Sequence, residues 1–287
     1  MAYRQISITD APKIGEGAHG EVYRIAEDTI VKVYRPTVSM EAIQREKRLS
    51  KWAFVKGLPT AISFDIVNVG DRYGVVYELL NARSAADYIK ESAENFENFV
   101  SRSVELMDRI HAIEVMPGEL PDMKMQTIGW IANMDRYLPF DACDKLTKIV
   151  EKVPDSHTLL HADFHLKNIL ISGDELWLID MDTLCAGDPV FELATIYNSY
   201  MEFPSISPDA AAFLGIDVET ATHIWERTLK LYLGDKYENE AKETARMAQV
   251  LGCIRIMDFA DRRPEIPDRD SILKTCRTDI LSNIESL

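Results

Sequence analysis

The stretch His161-Ala162-Asp163-Phe164-His165-Leu166-Lys167-Asn168 carries a carboxylate and a carboxamide five positions apart, between the strand-like runs Thr158–Leu160 and Ile169–Ile171. Held in a loop between short strands, Asp163 can accept or orient the proton of an attacking hydroxyl. Asn168 can give a carbonyl oxygen to magnesium, which takes hard oxygen ligands. A second carboxylate, Asp180, ends the apolar run Leu176-Trp177-Leu178-Ile179, with Asp182 two positions on. The turn Ser172-Gly173-Asp174 can fold this run back on Ile169–Ile171, so that Asp180 chelates a metal opposite Asn168. Asp182 is read as an aid to the metal, a substrate contact or a turn cap.

His157, His161 and His165 recur at steps of four, which on a helix would align three imidazoles. The flanking runs are strand-like, and the glutamate of a zinc-protease His-Glu-x-x-His is missing, so zinc is set aside here.

Nearer the N-terminus, Gly15, Gly17 and Gly20 stand at positions one, three and six of a glycine pattern, with Val22 two further on. Glycines let the backbone approach phosphates with no side chain between. A dinucleotide-binding turn would need a helix next. Val22-Tyr23-Arg24-Ile25 is strand-like instead, so the pattern reads as a flap joining two strands. Lys32 follows twelve residues after Gly20, within the apolar run Ile30-Val31-Lys32-Val33-Tyr34. An ammonium there is costly unless it meets an anion, and nucleotide phosphates fit. Glu46, with Glu41 as the alternative, is the helix carboxylate expected to pair with it.

Elements must hold these groups in place. Strand signals recur at 30–34, 66–69 and 74–77, with a hairpin turn at Gly70-Asp71 between the last two. Met40 to Trp52 is helix-prone, without glycine or proline. After about residue 84 helical periodicity takes over. Phe96, Phe99, Val100, Val104, Met107, Ile110 and Ile113 form one stripe, and Ile272, Leu273, Cys276, Ile280 and Ile284 another. Helices are also expected over 219–233, 238–260 and 270–285. The predicted division is a β-rich nucleotide-binding lobe at 1–80, a connection at 81–84, and a mainly helical catalytic and substrate-binding lobe at 85–287.

Composition narrows the partners. The 287 residues carry a formal net charge of −15, which argues against nucleic acid and suits a cationic ligand. No apolar run reaches the roughly 18 residues of a membrane span, and the N-terminus has no apolar signal core, so a cytoplasmic protein is expected. The four cysteines, Cys143, Cys185, Cys253 and Cys276, lack paired spacing and read as reduced thiols. Oligomeric state is not encoded in any pattern found.

Taken together, these motifs resemble the aminoglycoside phosphotransferase and choline kinase family, small-molecule relatives of protein kinases. The resemblance runs from about residue 12 to 200. His161 through Asn168 is similar to the family's His-Gly-Asp-Leu-His-Pro-Gly-Asn. Ile179-Asp180-Met181-Asp182 and Gly187-Asp188-Pro189-Val190-Phe191-Glu192-Leu193-Ala194 are similar to Ile-Asp-Trp-Glu and Gly-Asp-Pro-x-x-Asp-Leu-Ala, and Arg109-Ile110-His111 to a helix ending in Leu-His. Ala162 replaces a glycine, and Leu166-Lys167 replaces Pro-Gly.

The resemblance implies an α+β, protein-kinase-like bilobal fold that binds ATP or GTP with Mg2+ between its lobes. It assigns Lys32 to the phosphates, Glu46 to that lysine, Asp163 to the catalytic base role, and Asn168 and Asp180 to magnesium. Glu78 and Leu80, in Tyr77-Glu78-Leu79-Leu80, become the adenine-facing hinge through their backbone groups. His161 braces the catalytic loop, and Asp188 is structural. The implied activity is γ-phosphoryl transfer to a hydroxyl of a small molecule: an aminoglycoside, choline or another amine-bearing acceptor. Glu202, Asp258 and Asp261, with Trp130, Tyr137 and Trp225, are candidates for the acceptor region. Protein phosphorylation and a catalytically inactive nucleotide-binding module stand as alternatives. His165 and the lack of an Ala-Pro-Glu motif speak against the first, and the intact Lys32, Asp163, Asn168 and Asp180 against the second.

Overall fold

The computed structural model describes residues 3–17, 19–266 and 268–287. Ala18, inside the glycine pattern, lies outside the described residues. In chain order the first elements are β1 (Arg4–Ile6), β2 (Lys13–Glu16), β3 (Gly20–Arg24), β4 (Thr29–Tyr34), α1 (Met40–Val55), β5 (Ser63–Val69), β6 (Arg72–Glu78) and β7 (Arg83–Ser84). Then come α2 (Ala85–Glu91), α3 (Ala93–His111), α4 (Met123–Ile131), α5 (Phe140–Lys152), β8 (Leu159–Leu160), β9 (Ile169–Ser172), β10 (Glu175–Leu178) and β11 (Cys185–Ala186). The chain ends with α6 (Val190–Tyr197), a π-helical stretch (Asn198–Glu202), α7 (Phe203–Ile206), α8 (Pro208–Phe213), α9 (Val218–Leu233), α10 (Tyr237–Asp261) and α11 (Arg269–Asn283).

These elements form two compact units. One runs up to Ser84 and takes in Asn168–Thr183; the other comprises Ala85–Lys167 and Leu184–Leu287. The first unit is therefore not continuous in sequence, because the β9–β10 hairpin pairs with β7 in an antiparallel sheet.

The main sheet of the first unit has the order β1-β5-β6-β4-β3-β2. Every pairing is antiparallel except that of β1 with β5. Side chains alternate along β4. Val31 and Val33 enter one apolar cluster with Val67, Val69 and Val76, while Ile30 and Tyr34 enter another with Ile43 of α1. Lys32 shares the second face by its period-two position. Ser39 caps α1 by accepting the Ala42 N–H at 3.2 Å. The predicted turns at Gly70 and Gly173 both have left-handed backbones, with φ of 63° and 56°.

The second unit is a helical assembly around a large core shared by α4, α5, α6, α10 and α11. The stripe expected on the last helix is the one buried: Ile272, Leu273, Cys276, Ile280 and Ile284 all face this core. The α3 stripe is likewise buried from Phe99 to Ile110. Periodicity does not delimit every element, and β1 and α6 show two different reasons. Strand β1 is three residues long, too short to show a pattern. Helix α6 is apolar on nearly every side, because it runs through the core.

Candidate active site

In the first unit the site is built around Lys32. Its Nζ donates to Glu46 Oε1 at 2.8 Å and to Asp180 Oδ1 at 2.5 Å. Glu46 is chosen over Glu41 by helix geometry. Ile43, Glu46, Leu49, Ser50 and Ala53 share the buried face of α1, whereas Glu41 is exposed. Tyr77 on β6 donates its hydroxyl to the same Glu46 oxygen at 3.3 Å. Burial alone would push the Lys32 ammonium down. The Asp180 carboxylate and then Glu46 outweigh it and hold the group above the ordinary lysine value. Lys32 therefore stays charged, set among acidic partners on β4.

The β9–β10 hairpin delivers the two proposed metal residues. Leu178 pairs with Ile169, and the Ile179 N–H donates to the Asn168 carbonyl at 3.0 Å. Asn168 and Asp180 are thereby brought to the same open end of the hairpin. Asn168 is buried, and Asp180 has a φ of 63°, a left-handed backbone that aspartate tolerates better than most residues. Such backbone strain at a charged residue is a mark of functional positions. The donor set, an amide oxygen and a carboxylate, fits magnesium and not a thiophilic ion.

The glycine pattern forms the β2–β3 hairpin, and the Gly17 N–H donates to the Gly20 carbonyl at 2.9 Å. Gly20 is required by packing: a Cβ there would run into the Val33 carbonyl of β4. At Gly17 a Cβ would meet nothing within 4 Å, so no neighbour demands glycine there. Glu78 ends β6, donating its N–H to the Ile62 carbonyl at 3.0 Å, and the Leu80 carbonyl closes a tight turn with the Ala82 N–H at 2.9 Å.

The second unit holds His161, Asp163 and His165. Strand β8 pairs with β11 and ends just before His161. Ala162 then takes a φ of 60°, a left-handed conformation that costs an L-residue about 1–2 kcal/mol. A fully buried carboxylate, Glu192 on α6, holds this turn. Its two oxygens accept the backbone N–H groups of His161 at 2.6 Å and Ala162 at 2.9 Å. His111, at the end of α3, brings Nε2 to 3.9 Å from Glu192. Burial pushes the Glu192 carboxyl up, but His111, the His161 charge and the backbone donors outweigh it and hold the group below its ordinary value. Further along, the Leu166 N–H donates to the buried Tyr200 hydroxyl at 2.9 Å.

His165 orients the proposed base. The Lys167 N–H donates to His165 Nδ1 at 3.3 Å, so the neutral ring carries its proton on Nε2. That nitrogen faces Asp163 Oδ1 at 3.4 Å. The surroundings of Asp163 oppose ionisation, but His165, then the charges of Arg255 and His161, hold its carboxyl well below the usual range. Asp163 is thus an ionised acceptor, pinned from one side and 39% exposed on its side chain. The three histidines do not gather on a helix: His157 is exposed, and His161 is buried and packs edge-on to Phe164.

The strain at Ala162 can be measured. Ala162→Gly removes the Cβ penalty at the cost of extra chain entropy, about 0.5–1 kcal/mol. The expected net is a stability gain of up to about 1 kcal/mol, read as a higher urea midpoint at unchanged slope. Ala162→Val should lower that midpoint.

Residues 10–222 match the phosphotransferase enzyme family. The chain belongs to that family. In fold the phosphotransferase is similar to ADP-bound aminoglycoside phosphotransferase APH(2'')-Ib, with a TM-score of 0.61 at 17% identity over 96% of this chain and 93% of that one. It is also similar to APH(2")-IIia in its complex with GDP and kanamycin, with a TM-score of 0.64 at 13% identity over 97% and 95% of the two chains. The streptomycin-ATP-APH(2")-IIa ternary complex gives 0.60 at 17% identity over 96% and 92%. No curated protein matches in sequence. The fold is the kinase-like α+β fold that the motif order implies.

Within the phosphotransferase, Lys32, Glu46, Asn168 and Asp180 gather in one unit, and His161, Asp163 and His165 in the other. Two contributors carry no assigned role in the sequence reading: Glu192, quoted only within the motif Gly187 to Ala194, and Tyr200. Glu192 could have been suspected as a lone acid in the apolar run Phe191-Glu192-Leu193-Ala194. Nothing in sequence marks Tyr200. Asp188 accepts the Val190 N–H at 2.9 Å and starts α6, a structural part. The acceptor-region candidates are engaged within their own unit. Asp258 pairs with Arg262; Asp261 pairs with Arg136 and Arg269 and accepts from Tyr137; Trp225 is buried edge-on to Tyr197. Among the described residues, no helix is long and apolar enough to cross a membrane.

Proposed function

We propose that this phosphotransferase moves the γ-phosphoryl group of ATP or GTP to a hydroxyl of a small amine-bearing molecule, an aminoglycoside before choline. The observation that carries the reading is Lys32, charged and bracketed by Glu46 at 2.8 Å and Asp180 at 2.5 Å. The division of labour follows the motif order, with 1–80 handling nucleotide, 81–84 as connection, and 85–287 supplying catalysis and acceptor binding, apart from Asn168 and Asp180.

Lys32 binds and neutralises phosphate oxygens, and Glu46 fixes its ammonium. Glycines 15, 17 and 20 keep the β2–β3 flap free of side chains that would fend off phosphate. Glu78 and Leu80 offer backbone groups to the base. Magnesium, held by Asn168 and Asp180, would supply charge neutralisation at the phosphates. Asp163 accepts the hydroxyl's hydrogen bond and aims it, with His165 holding the carboxylate in place. Most of the acceleration would come from positioning and fixed charge.

An amine-bearing acceptor is supported by the net charge of −15. It is also supported by the similar proteins solved with gentamicin, streptomycin and kanamycin. The test is nucleotide consumption with ATP and with GTP across aminoglycosides, choline, ethanolamine, aminosugars and uncharged sugars. Turnover confined to amine-bearing hydroxyl compounds is expected. Turnover only with uncharged sugars would overturn the acceptor class, and none at all despite tight Mg-ATP binding would overturn the reading as a whole.

A further inference from the structure

Apart from the proposed nucleotide, magnesium and base residues, the core of the helical unit holds three metal-ligating side chains at one point. Glu202 closes the π-helical stretch, Cys253 lies on α10 and Cys276 on α11; they are 2%, 0% and 0% exposed. The carboxylate oxygen and both sulfurs lie within 4.8 Å of one another. Cys276 Sγ stands 3.9 Å from Glu202 Oε1. Zinc bonds of about 2.3 Å to sulfur and about 2.0 Å to oxygen, at a tetrahedral angle, put such ligands about 3.5 Å apart. Closing from at most 4.8 Å to that spacing takes side-chain movements of up to about 1 Å.

Further donors converge on the same place. Gln249, one turn before Cys253, and Asp279, three residues after Cys276, both reach the Glu202 side chain. Spacings of four and three keep each pair on one helix face. Three separate elements thus aim five donor side chains inward. The glutamate sits on a π-helical stretch, a feature that often marks functional positions. Besides these donors, Glu202 accepts from the Cys276 thiol, and no cationic side chain among the described residues forms an ion pair with it.

We infer that Glu202, Cys253 and Cys276 form a buried site for a thiophilic divalent cation of the zinc class, with Gln249 or Asp279 as the fourth ligand. Two thiolates select such an ion over magnesium, so this donor set differs in kind from Asn168 and Asp180. The ion would tie α10, α11 and the π-helical stretch together, and its binding energy would add to the stability of the folded chain. The cysteines, read from sequence as plain reduced thiols, would then be ligands.

The test uses the full chain, expressed once with zinc and once with cobalt supplementation. About one metal per chain is expected, with a thiolate-to-metal charge-transfer band in the cobalt form and a lower melting temperature after chelation. Cys253→Ser and Cys276→Ser should weaken retention by at least the roughly 10- to 100-fold that losing a hydrogen-bond partner of a metal ligand costs. Cys143→Ser, at a thiol outside the cluster, should change nothing. Metal content well under one per chain, or no charge-transfer band, in the wild-type protein overturns the site even if the serine variants fail to fold. Metal retained undiminished by both serine variants overturns it equally.

Discussion

Replacing Asp163 by asparagine should lower kcat by roughly a hundred- to ten-thousand-fold, the range that a positioned acid–base group contributes. The substitution keeps the side chain's shape and an oxygen that can still accept from His165 Nε2, so the loop should hold its form. Lys32, Glu46, Asn168 and Asp180 are untouched, so the affinity for Mg-nucleotide should change little. The pH dependence follows from the depressed carboxyl. With His165, Arg255 and His161 holding it well below the usual range, Asp163 stays ionised at every pH above about 4. Any acid limb in the activity of the wild-type enzyme between pH 5 and 7 must then come from another group. Rapid-quench measurement of phosphoryl transfer at saturating nucleotide, with a separate binding titration, checks both parts. Near-normal turnover by the asparagine variant would remove Asp163 from its role.

Glu192→Ala should cost about 3–5 kcal/mol of stability, the range for removing one partner from a buried charged network. The variant strands two backbone donors, His161 and Ala162 N–H, in a site with no access to water. It also frees the left-handed turn that sets the direction of Asp163. A displacement of about 1 Å in a catalytic group is worth on the order of 100-fold in rate. Both kcat and thermal stability should therefore fall, while the KM for nucleotide stays close to the wild-type value. The pH profile separates charge from shape. The Glu192 carboxyl is held below its ordinary value of 4.5, so its contribution is fully present above about pH 4.5 and fades as pH falls through the folded-state value. Glu192→Gln keeps one accepting oxygen but has no charge to lose. Its urea midpoint should start lower at neutral pH and decline less between pH 4.5 and 3. An unchanged wild-type slope in that variant would show that Glu192 is not what the acid limb reports.

The local arrangement of the motif residues was legible because it rests on local covalent spacing. A carboxylate and an amide five residues apart, flanked by strand-like runs, leave few conformations other than a loop feeding a hairpin, and Ser172-Gly173-Asp174 fixes where that hairpin turns. The partner of Lys32 was legible for the same kind of reason. Glu46 is three residues from Ile43 and so shares its buried stripe, which the helical period alone dictates. The long helices announced themselves through stripes such as Ile272, Leu273, Cys276, Ile280 and Ile284.

Tertiary structure decided what period and spacing cannot carry. That Asn168–Thr183 packs with the N-terminal sheet depends on β9 meeting β7, a pairing of strands far apart in sequence whose register no local pattern encodes. That Glu192 holds the His161–Ala162 turn depends on burying a carboxylate under two N–H groups some thirty residues away, and Tyr200 reaches Leu166 over a similar gap. The convergence of Glu202, Cys253 and Cys276 is of the same kind. By itself the sequence determined which groups are available for phosphoryl transfer and on which local elements they ride. The fold determined which polar groups meet in the dry interior, where Glu192 holds the turn of the loop and His165, with the charges of Arg255 and His161, sets the charge of Asp163, because desolvation makes each unpaired group too costly to keep.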